Sequence, residues 1–415
     1  MHVEKCRACL GKDLHPFLDL GETALANSYR LPDDTTPEAK FPLRAMICRS
    51  CGLVQIDEEV PPEVLFKHYL YVSATSDLVH QHAAFLARHF AGELPLAKGD
   101  LVLEAASNDG TVLKAFQKYG VRAVGIEPAE NIADQARIDG IDTFCEFFNE
   151  KTARTIYKEH GPAKLILARH VLAHVADLHG FVQGLEIVLD DDGVAVVECP
   201  HLLPFHDKLE YDTIYHEHLC YYSLTVLGKL FEQFGLELID VKEVSIHGGS
   251  IVVSAQREGG PRRPSLAVSV MKERERRAGL TDPNTWDLFA QRVVLNREAL
   301  RREVEQIRSR GLRMAGYGAP AKGMTLLAYS GLGPTEIPYL VDKSPYKQGR
   351  LTPGHQIPIV GPERLARDKP DVVLLLAWNF AEEIFRQQAD YLRRGGRFLL
   401  PLPAPQHYAE LRAAA

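Results

Sequence analysis

Four consecutive residues, Tyr215, His216, Glu217 and His218, bring together a phenol, two imidazoles and a carboxylate. Side chains of these types exchange protons near neutral pH, so the run predicts general acid–base chemistry. A helical zinc-protease motif would space its histidines four residues apart, and here they are two apart. On an extended segment, Tyr215 and Glu217 would face one way and the histidines the other. We therefore expect the four groups not to converge as one metal-ligand set; the alternative is a structural polar loop.

Alternating strands and helices must position this run. Apolar strands are predicted at residues 101–104, 123–126, 164–168 and 194–197, with helices at 111–119 and 178–189. This alternation favours an α/β fold with a mostly parallel sheet. His174 follows the third of these strands and could either lie at the reaction centre or cap the next helix. His247 is interpreted first as part of a tight turn and second as a ligand contact.

The first strand and turn of this region have the features of a nucleoside site. The strand ends in Glu104, a small-residue turn covers 105–110, and the second strand ends in Glu127, about 20 residues later. A carboxylate at that point can bind both ribose hydroxyls, or it can simply end the strand. The turn lacks the full dinucleotide motif, which favours S-adenosylmethionine over NAD. The cofactor-binding candidates here are Glu104, Ser107, Asn108, Gly110 and Glu127.

Two further candidates for the cofactor lie upstream. Tyr71 and Ser73 belong to a hydroxyl-rich segment at 69–76, which precedes an amphipathic stretch at 78–90. Their hydroxyls could bind polar groups of a ligand, or the segment could only form a turn and a helix cap.

The cysteines near the N-terminus have metal-ligand spacing. Cys6 and Cys9 form one pair, and Cys48 and Cys51 form a second. Four thiolates in two such pairs suit one tetrahedral zinc ion, and the alternative of two disulfides is disfavoured in a reducing cytoplasm. A site with four protein ligands is closed, so the zinc is expected to be structural and to supply folding free energy to a small domain.

Composition limits the classes of protein that remain. The chain has 415 residues, of which 46% are hydrophobic and 25% charged, which is enough for two or three domains. No apolar stretch approaches the roughly 20 residues of a membrane span, and residues 1–6 do not resemble a secretory signal. A net charge of -7 offers no general attraction to nucleic acid. We therefore expect a cytoplasmic protein with neither a nucleic-acid nor a membrane partner.

The C-terminal part predicts a second α/β unit. A strand at 313–317 leads into a turn that contains Gly318 and Lys322, and a helix follows to residue 329. The start of that helix could bind a pyrophosphate with Lys322 adding charge, or the turn could be structural and the lysine solvated.

At this point the sequence resembles the zinc-containing, S-adenosylmethionine-dependent C-methyltransferases of nucleotide-linked deoxysugars, the sugar C-3 methyltransferase family. The resemblance extends over nearly the whole chain. It depends on seven blocks in order: the four cysteines, Tyr-Leu-Tyr-Val-Ser at 69–73, Ser-Asn-Asp-Gly at 107–110, Val-Leu-Ala-His-Val at 171–175, Tyr-His-Glu-His at 215–218, His-Gly-Gly-Ser at 247–250 and Tyr-Gly-Ala-Pro-Ala-Lys-Gly at 317–323.

The resemblance implies methylation of a nucleoside-diphosphate 4-keto sugar at the carbon next to the ketone. It makes His218 the expected base, supported by Tyr215 and Glu217. Such an enzyme must remove a proton beside the carbonyl, and a neutral histidine suits that step. Members of the family commonly carry asparagines where this chain has Arg169 and His170, so contacts near the reaction centre could differ.

The expected architecture has a central Rossmann-like methyltransferase domain. We predict a zinc-binding domain at 1–60, a linker with a helix at 61–98, a methyltransferase domain at 99–256 and a C-terminal Rossmann-like domain for the nucleotide sugar at 257–415. The site residues then comprise catalytic His218, Tyr215, Glu217 and His174, substrate-binding Gly318, Lys322 and His247, and the cofactor and zinc ligands already named. Alternatives are an NAD-dependent oxidoreductase using Asp342, a nucleic-acid methyltransferase and a non-catalytic nucleotide-sugar binder.

Overall fold

The computed structural model describes residues 1–61, 64–65 and 77–409. The predicted cofactor ligands Tyr71 and Ser73 lie outside these residues. The described chain forms three sheets, which follow one another along the sequence except for one strand. This mixed α/β architecture confirms the predicted fold class.

The N-terminal sheet is antiparallel and has the strand order β1-β2-β3-β9. Its strands are β1 (Leu14–Ala24), β2 (Lys40–Cys48), β3 (Val54–Ile56) and β9 (Cys220–Tyr221). The last strand comes from the segment just after the Tyr-His-Glu-His run. The N-terminal domain is therefore hydrogen-bonded directly to the region that carries the predicted acid–base groups.

The central sheet has seven strands in the order β10-β11-β8-β7-β4-β5-β6. The five strands from β8 to β6 are parallel, and β10 and β11 add an antiparallel edge. Buried parallel strands are covered on both faces, which explains their continuous apolar sequences. The strands are β4 (Leu101–Ala105), β5 (Arg122–Ile126), β6 (Asp142–Phe144), β7 (Ala163–Arg169), β8 (Leu189–Pro200), β10 (Leu236–Val244) and β11 (Ser250–Arg257).

Helices cover both faces of the central sheet. The first of them, α1, lies in the predicted linker, and its residues Leu86 and Phe90 are buried in the same core cluster as Val102 of β4. Helix α2 begins just after Gly110, whose φ of 73° and close approach to Ile141 leave no room for a Cβ. The helices are α1 (Asp77–Glu93), α2 (Thr111–Gln117), α3 (Glu130–Ile138), α4 (Glu150–His160), α5 (Leu178–Val188), α6 (Leu202–Asp207) and α7 (Leu224–Glu232).

The C-terminal sheet repeats the parallel arrangement on a smaller scale, in the order β14-β13-β12-β15-β16-β17. Only β17 is antiparallel to its neighbour. Its strands are β12 (Met314–Tyr317), β13 (Leu340–Val341), β14 (Ile359–Val360), β15 (Val372–Leu375), β16 (Arg397–Leu400) and β17 (Gln406–Tyr408). The remaining helices are α8 (Leu266–Arg277), α9 (Pro283–Ser309), α10 (Ala321–Ser330), α11 (Glu363–Asp368), α12 (Ala381–Gln387) and α13 (Ala389–Arg393).

Helix α9 is long and connects the units. It is capped by Asp282, whose side chain accepts a hydrogen bond from the Asn284 amide, and it has proline at its start. One face buries Trp286 and Phe289 against the aromatic side chain of Phe17 from β1. Within the described part of the chain, no helix is long and apolar enough to cross a membrane.

Candidate functional site

The four N-terminal cysteines lie together as a metal-binding cluster. Their Sγ atoms are all within 4.8 Å of one another. The Cys6–Cys51 and Cys9–Cys48 sulfur distances are 3.4 and 3.5 Å, too long for disulfides. A tetrahedral zinc with bonds of about 2.3 Å separates its sulfurs by about 3.8 Å, so the cluster fits zinc.

The Tyr-His-Glu-His run is a turn and not an extended strand. The His218 amide donates to the Tyr215 carbonyl over 2.8 Å, which closes the turn. The expectation that Tyr215 and His218 face opposite ways is therefore wrong: the Tyr215 hydroxyl lies 2.8 Å from His218 Nε2. The alternating pattern failed because it assumed β geometry for a segment whose backbone reverses direction.

The hydrogen bonds of His218 define its tautomer. Nδ1 lies 3.0 Å from the Thr213 carbonyl oxygen, which can only accept, so Nδ1 carries the proton. In the neutral ring, Nε2 is then the acceptor and receives the Tyr215 hydroxyl. His218 therefore presents a basic lone pair at Nε2, which is the requirement for a general base.

His174 lies beside this pair. Its ring is 4.9 Å from that of His218 and nearly perpendicular to it. Burial lowers the pKa of His174 to about 4, so the ring is neutral at physiological pH. The short 3₁₀ helix Leu172–His174 is held against the segment that follows the 215–218 turn, because the Leu219 amide donates to the Ala173 carbonyl over 2.7 Å. The structure thus brings three of the four predicted catalytic residues together.

The other two side chains of the run turn toward the N-terminal domain. His216 Nε2 donates to the Pro42 carbonyl on β2 over 3.0 Å. Glu217 is 4% exposed and accepts a 2.7 Å hydrogen bond from the Asn27 side-chain amide. Burial raises the pKa of Glu217 to about 7, and Asn27 opposes that shift. The zinc-binding domain therefore holds the turn formed by residues 215–218 through both His216 and Glu217.

The predicted cofactor ligands gather at the carboxyl edge of β4 and β5. Glu127 accepts backbone hydrogen bonds from Asn108 at 2.9 Å and Ala129 at 3.0 Å, which fixes the turn after β4. Burial raises the pKa of Glu127. Asn108 has a positive φ of 51°, a conformation asparagine tolerates better than most residues. This edge is where open α/β sheets bind their ligands.

Two polar atoms at this edge have no hydrogen-bond partner among the described residues. They are Glu104 Oε2 and Ser107 Oγ, and both residues are nearly fully buried. Burial raises the pKa of Glu104 to about 8. Buried polar groups are rarely left unpaired, so these atoms fit a polar ligand such as the amino-acid part or the ribose of S-adenosylmethionine.

The C-terminal turn is built more tightly than predicted. Gly318 has a φ of 85°, and a Cβ there would lie 2.7 Å from that of Ala377. Lys322 is partly buried, with Nζ 3.9 Å from the centre of the Trp378 ring, so the alternative of a solvated lysine is wrong. Burial lowers the pKa of Lys322, which the carboxylate of Asp212 opposes.

The C-terminal turn lies next to the residues that lead into the 215–218 turn. Asp212 accepts a 2.7 Å hydrogen bond from Trp378 Nε1, and Thr325 on α10 donates to the Ile214 carbonyl over 2.9 Å. Burial raises the pKa of Asp212 to about 6. His247 falls in the short 3₁₀ helix Ile246–Gly248, whose Gly248 closely approaches Glu210. The predicted substrate-binding turn thus lies against the residues that precede Tyr215.

Several residues at the site were not predicted from the sequence. Asn27 and Pro42 lie in the N-terminal domain, and no spacing rule connects them to residues 215–218. Trp378 is equally remote. Glu198, by contrast, ends an apolar strand in the same way as Glu104. Applying the strand-end rule to β8 would have found Glu198.

Models of known protein families match three successive segments of this chain. A zinc binding domain model matches residues 6–66, a methyltransferase domain model matches 78–241, and a C-methyltransferase C-terminal domain model matches 245–403. The C-methyltransferase NovU of Streptomyces niveus is 39% identical over 405 residues, covering 97% of this chain and 96% of that protein.

Solved methyltransferases resemble part of the chain. Magnesium protoporphyrin IX methyltransferase from Synechocystis PCC 6803, with bound S-adenosylmethionine, has 12% identity and a TM-score of 0.33, covering 43% of this chain and 79% of that one. The CcbJ methyltransferase from Streptomyces caelestis has 14% identity and a TM-score of 0.33, covering 42% and 89%. The family models and the full-length relative decide the assignment: this chain belongs to the S-adenosylmethionine-dependent C-methyltransferases with an N-terminal zinc-binding domain.

Proposed function

We propose that the enzyme methylates a nucleoside-diphosphate 4-keto-deoxysugar at the carbon next to the ketone, through an enolate. The observation that carries this proposal is the Tyr215–His218 pair, in which an imidazole whose neutral form has a defined tautomer presents Nε2 to a phenol. C-methylation beside a ketone needs a base to remove a carbon-bound proton and a donor for the enolate oxygen. The pair supplies one group of each kind.

The chemistry follows from these two side chains. When the sugar displaces the Tyr215 hydroxyl from His218 Nε2, that nitrogen takes the proton from the carbon beside the ketone. The electrons of the broken C–H bond form the enolate, and the released Tyr215 hydroxyl can donate to its oxygen. S-adenosylmethionine, when bound, would supply the electrophilic methyl group for the new carbon–carbon bond, with its sulfonium becoming a neutral thioether. Neutral His174 next to His218 avoids placing a second positive charge beside the protonated base.

Glu217 has a positioning role in this proposal. Its carboxylate is held by Asn27 of the zinc-binding domain and points away from the Tyr215–His218 contact. The turn that carries both catalytic side chains is thereby fixed from the N-terminal side. Loss of the carboxylate should misplace the turn without removing the base.

We further propose that the C-terminal turn binds the nucleotide sugar. Gly318 and Lys322 would hold the pyrophosphate at the start of α10, and His247 would contact the sugar. The support is the position of this turn, which is joined to the catalytic segment by the Thr325–Ile214 and Trp378–Asp212 hydrogen bonds. A pyrophosphate placed there would put the attached sugar near His218.

The test is mass spectrometry of 4-keto nucleotide sugars incubated with S-adenosylmethionine and three forms of the enzyme. The wild type should add one methyl group. His218→Asn should slow the transfer by about 10²- to 10⁴-fold, the usual contribution of a positioned base. His407→Asn is the matched control, since the same change on the exposed strand β17 removes a ring that is hydrogen-bonded to Glu303 and belongs to neither turn.

A solvent isotope experiment separates the base from a merely structural residue. Wild-type enzyme incubated in deuterated water without a methyl donor should exchange the proton beside the ketone, because enolate formation precedes transfer. His218→Asn should abolish the exchange while leaving binding of S-adenosylhomocysteine unchanged. Exchange at the wild-type rate in that variant would reject His218 as the base, and no methylated product from any 4-keto sugar would reject the substrate class.

A further inference from the structure

Three neighbouring strands of the central sheet end in charged side chains at its carboxyl edge. Glu104 lies near the end of β4, Arg169 ends β7, and Glu198 lies near the end of β8. The three strands are adjacent, and Arg169 pairs directly with Glu198 in the parallel register of β7 and β8. The same edge carries the turn assigned to the cofactor.

Glu198 is the anchor of this row. Its side chain is fully buried and receives hydrogen bonds from Arg169 Nε at 3.1 Å, His170 Nε2 at 2.9 Å and His82 Nε2 at 2.9 Å. Burial alone would raise the pKa of Glu198, but His170 and Arg169 outweigh it and hold the pKa well below its usual range. Glu198 is therefore an ionised carboxylate that fixes the arginine.

The guanidinium of Arg169 still has donors to offer. Nε is used by Glu198, and Nη1 approaches Glu104 Oε1 at 3.5 Å, a long contact. Nη2 has no hydrogen bond to any described residue. On the other side of this contact, Glu104 Oε2 is buried and lacks a partner among the described residues.

A guanidinium donor without a partner next to a carboxyl oxygen without a partner, both among the described residues, suits a zwitterion, whose ammonium would also stabilise the ionised form of Glu104. The methionine part of S-adenosylmethionine has an α-carboxylate and an α-ammonium on the same carbon. We propose that Arg169 binds the α-carboxylate of the cofactor, while Glu104 accepts the α-ammonium. Arginine suits a carboxylate because its planar fork can donate two parallel hydrogen bonds.

This inference rests on the cofactor and not on the sugar proposed above. It also gives a role to Arg169, which stands where members of the resembled family commonly carry asparagine. Glu198 holds Arg169 and His170 at the edge of the sheet through hydrogen bonds of 3.1 and 2.9 Å. Arg169 is thus a cofactor-binding residue that the buried carboxylate of Glu198 holds in place.

Binding measurements with two ligands test the proposal. S-adenosylhomocysteine contains the amino-acid group, and 5′-methylthioadenosine lacks it while retaining the adenosine and the sulfur. By isothermal titration calorimetry, Arg169→Gln should weaken S-adenosylhomocysteine by about 10- to 100-fold, the effect of losing a charged hydrogen bond. Its affinity for 5′-methylthioadenosine should stay within about twofold. Arg276→Gln, on the exposed face of α8, is the matched control and should change neither affinity.

The ratio of the two affinities guards against a folding defect, because a distorted site would weaken both ligands. If Arg169→Gln is poorly folded, the double variant Arg169→Gln/Glu198→Gln removes the buried carboxylate with its partner and should show the same selective loss. Equal weakening of both ligands, or no loss for S-adenosylhomocysteine, in a folded variant would overturn the proposal. Neither result would bear on the sugar substrate, which is tested separately by mass spectrometry.

Discussion

In the central unit and in the C-terminal unit, a carboxylate that directly follows the second strand accepts hydrogen bonds from two backbone amides. Glu127 accepts the amide of Asn108, in the turn after the first strand, and the amide of Ala129, two residues further along. The distances are 2.9 and 3.0 Å. The carboxylate thereby joins two strand ends and fixes the loop between strand and helix.

Asp342 repeats this arrangement in the C-terminal unit. It accepts the amide of Ala319, in the turn after β12, at 2.7 Å and the amide of Ser344, two residues further along, at 2.8 Å. The two units therefore share a scaffold as well as a strand order. The difference between them lies in what covers each turn.

The C-terminal turn is covered by protein. The Ala319 carbonyl accepts hydrogen bonds from the Tyr29 hydroxyl at 2.6 Å and from Lys347 Nζ at 2.7 Å. At the central turn, Glu104 and Ser107 keep buried atoms without partners among the described residues. A repeated scaffold therefore does not imply a repeated function, and the covered turn argues against an NAD site at Asp342.

Removal of zinc should have the largest effect on methyl transfer. It should also show whether cofactor binding by the central unit depends on the rest of the site. Structural zinc contributes about 10–16 kcal/mol of apparent binding free energy in small domains, so the N-terminal domain should unfold without it. That loss would free Glu217, His216 and Ala319 from their N-terminal partners. We expect chelation to reduce methyl transfer by at least about 100-fold, the range of a misplaced base.

Affinity for S-adenosylhomocysteine, measured by calorimetry on the chelated protein, should stay within about threefold. The reason is that the hydrogen bonds described for Glu104 and Glu127 all join residues of the central unit. Readdition of zinc should restore transfer. Parallel loss of cofactor binding would show that the central unit also depends on the zinc domain.

Matched substitutions of the two carboxylates should have different effects on affinity for S-adenosylhomocysteine. Glu127→Gln and Asp342→Asn each replace one accepting oxygen by an NH₂ group that faces a backbone N–H. The local cost is therefore similar, but only the first change lies at the cofactor edge. We expect Glu127→Gln to weaken S-adenosylhomocysteine by about 10- to 100-fold and Asp342→Asn by less than about twofold. Equal weakening by both would place cofactor-binding groups in both units.

Much of this scaffold could be predicted, because parallel strands and amphipathic helices leave local signals. The strands predicted at 101–104 and 123–126 are present with their ends moved by one residue. The cysteine pairs and the strand-end carboxylates were also evident, since both follow rules of spacing. These features depend on residues that are close in sequence.

What could not be predicted depends on contacts between distant segments. The Asn27–Glu217 hydrogen bond joins residues 190 apart, and β3–β9 pairing brings the zinc domain onto the segment that follows residues 215–218. The turn at Tyr215–His218 was considered as an extended segment, because a short polar run has no periodicity that distinguishes a turn from a strand. Burial of Lys322 beneath Trp378 likewise depends on tertiary packing.

The boundary between the two units should be sensitive to pH. Glu210 is 3% exposed, and burial, with Asp212 next in importance, raises its pKa from 4.5 to about 7. A raised carboxyl pKa contributes stability that is complete below about pH 4.5 and is lost as pH rises through 7. In urea unfolding, the free energy of unfolding of the wild type should fall between pH 5 and pH 8. In Glu210→Gln this fall should be smaller by about 1–2 kcal/mol. The exposed control Glu298→Gln should leave that decrease unchanged, and identical slopes for all three proteins would contradict the raised pKa.

Loss of one of the two hydrogen bonds to the Ala319 carbonyl in the C-terminal turn should have the smallest effect on stability. Tyr29→Phe removes the hydroxyl that donates to the Ala319 carbonyl, but Lys347 still donates to the same oxygen, so no buried acceptor is left unpaired. We expect the free energy of unfolding to fall by only about 0.5–1 kcal/mol, the net value of a single hydrogen bond. Affinity for S-adenosylhomocysteine should not change, because the hydrogen bond that the hydroxyl donates among the described residues goes to the C-terminal turn. Loss of cofactor affinity in Tyr29→Phe would instead show that the C-terminal turn at Ala319 and the central turn at Ser107 are energetically coupled. The two turns would then not act independently in cofactor binding.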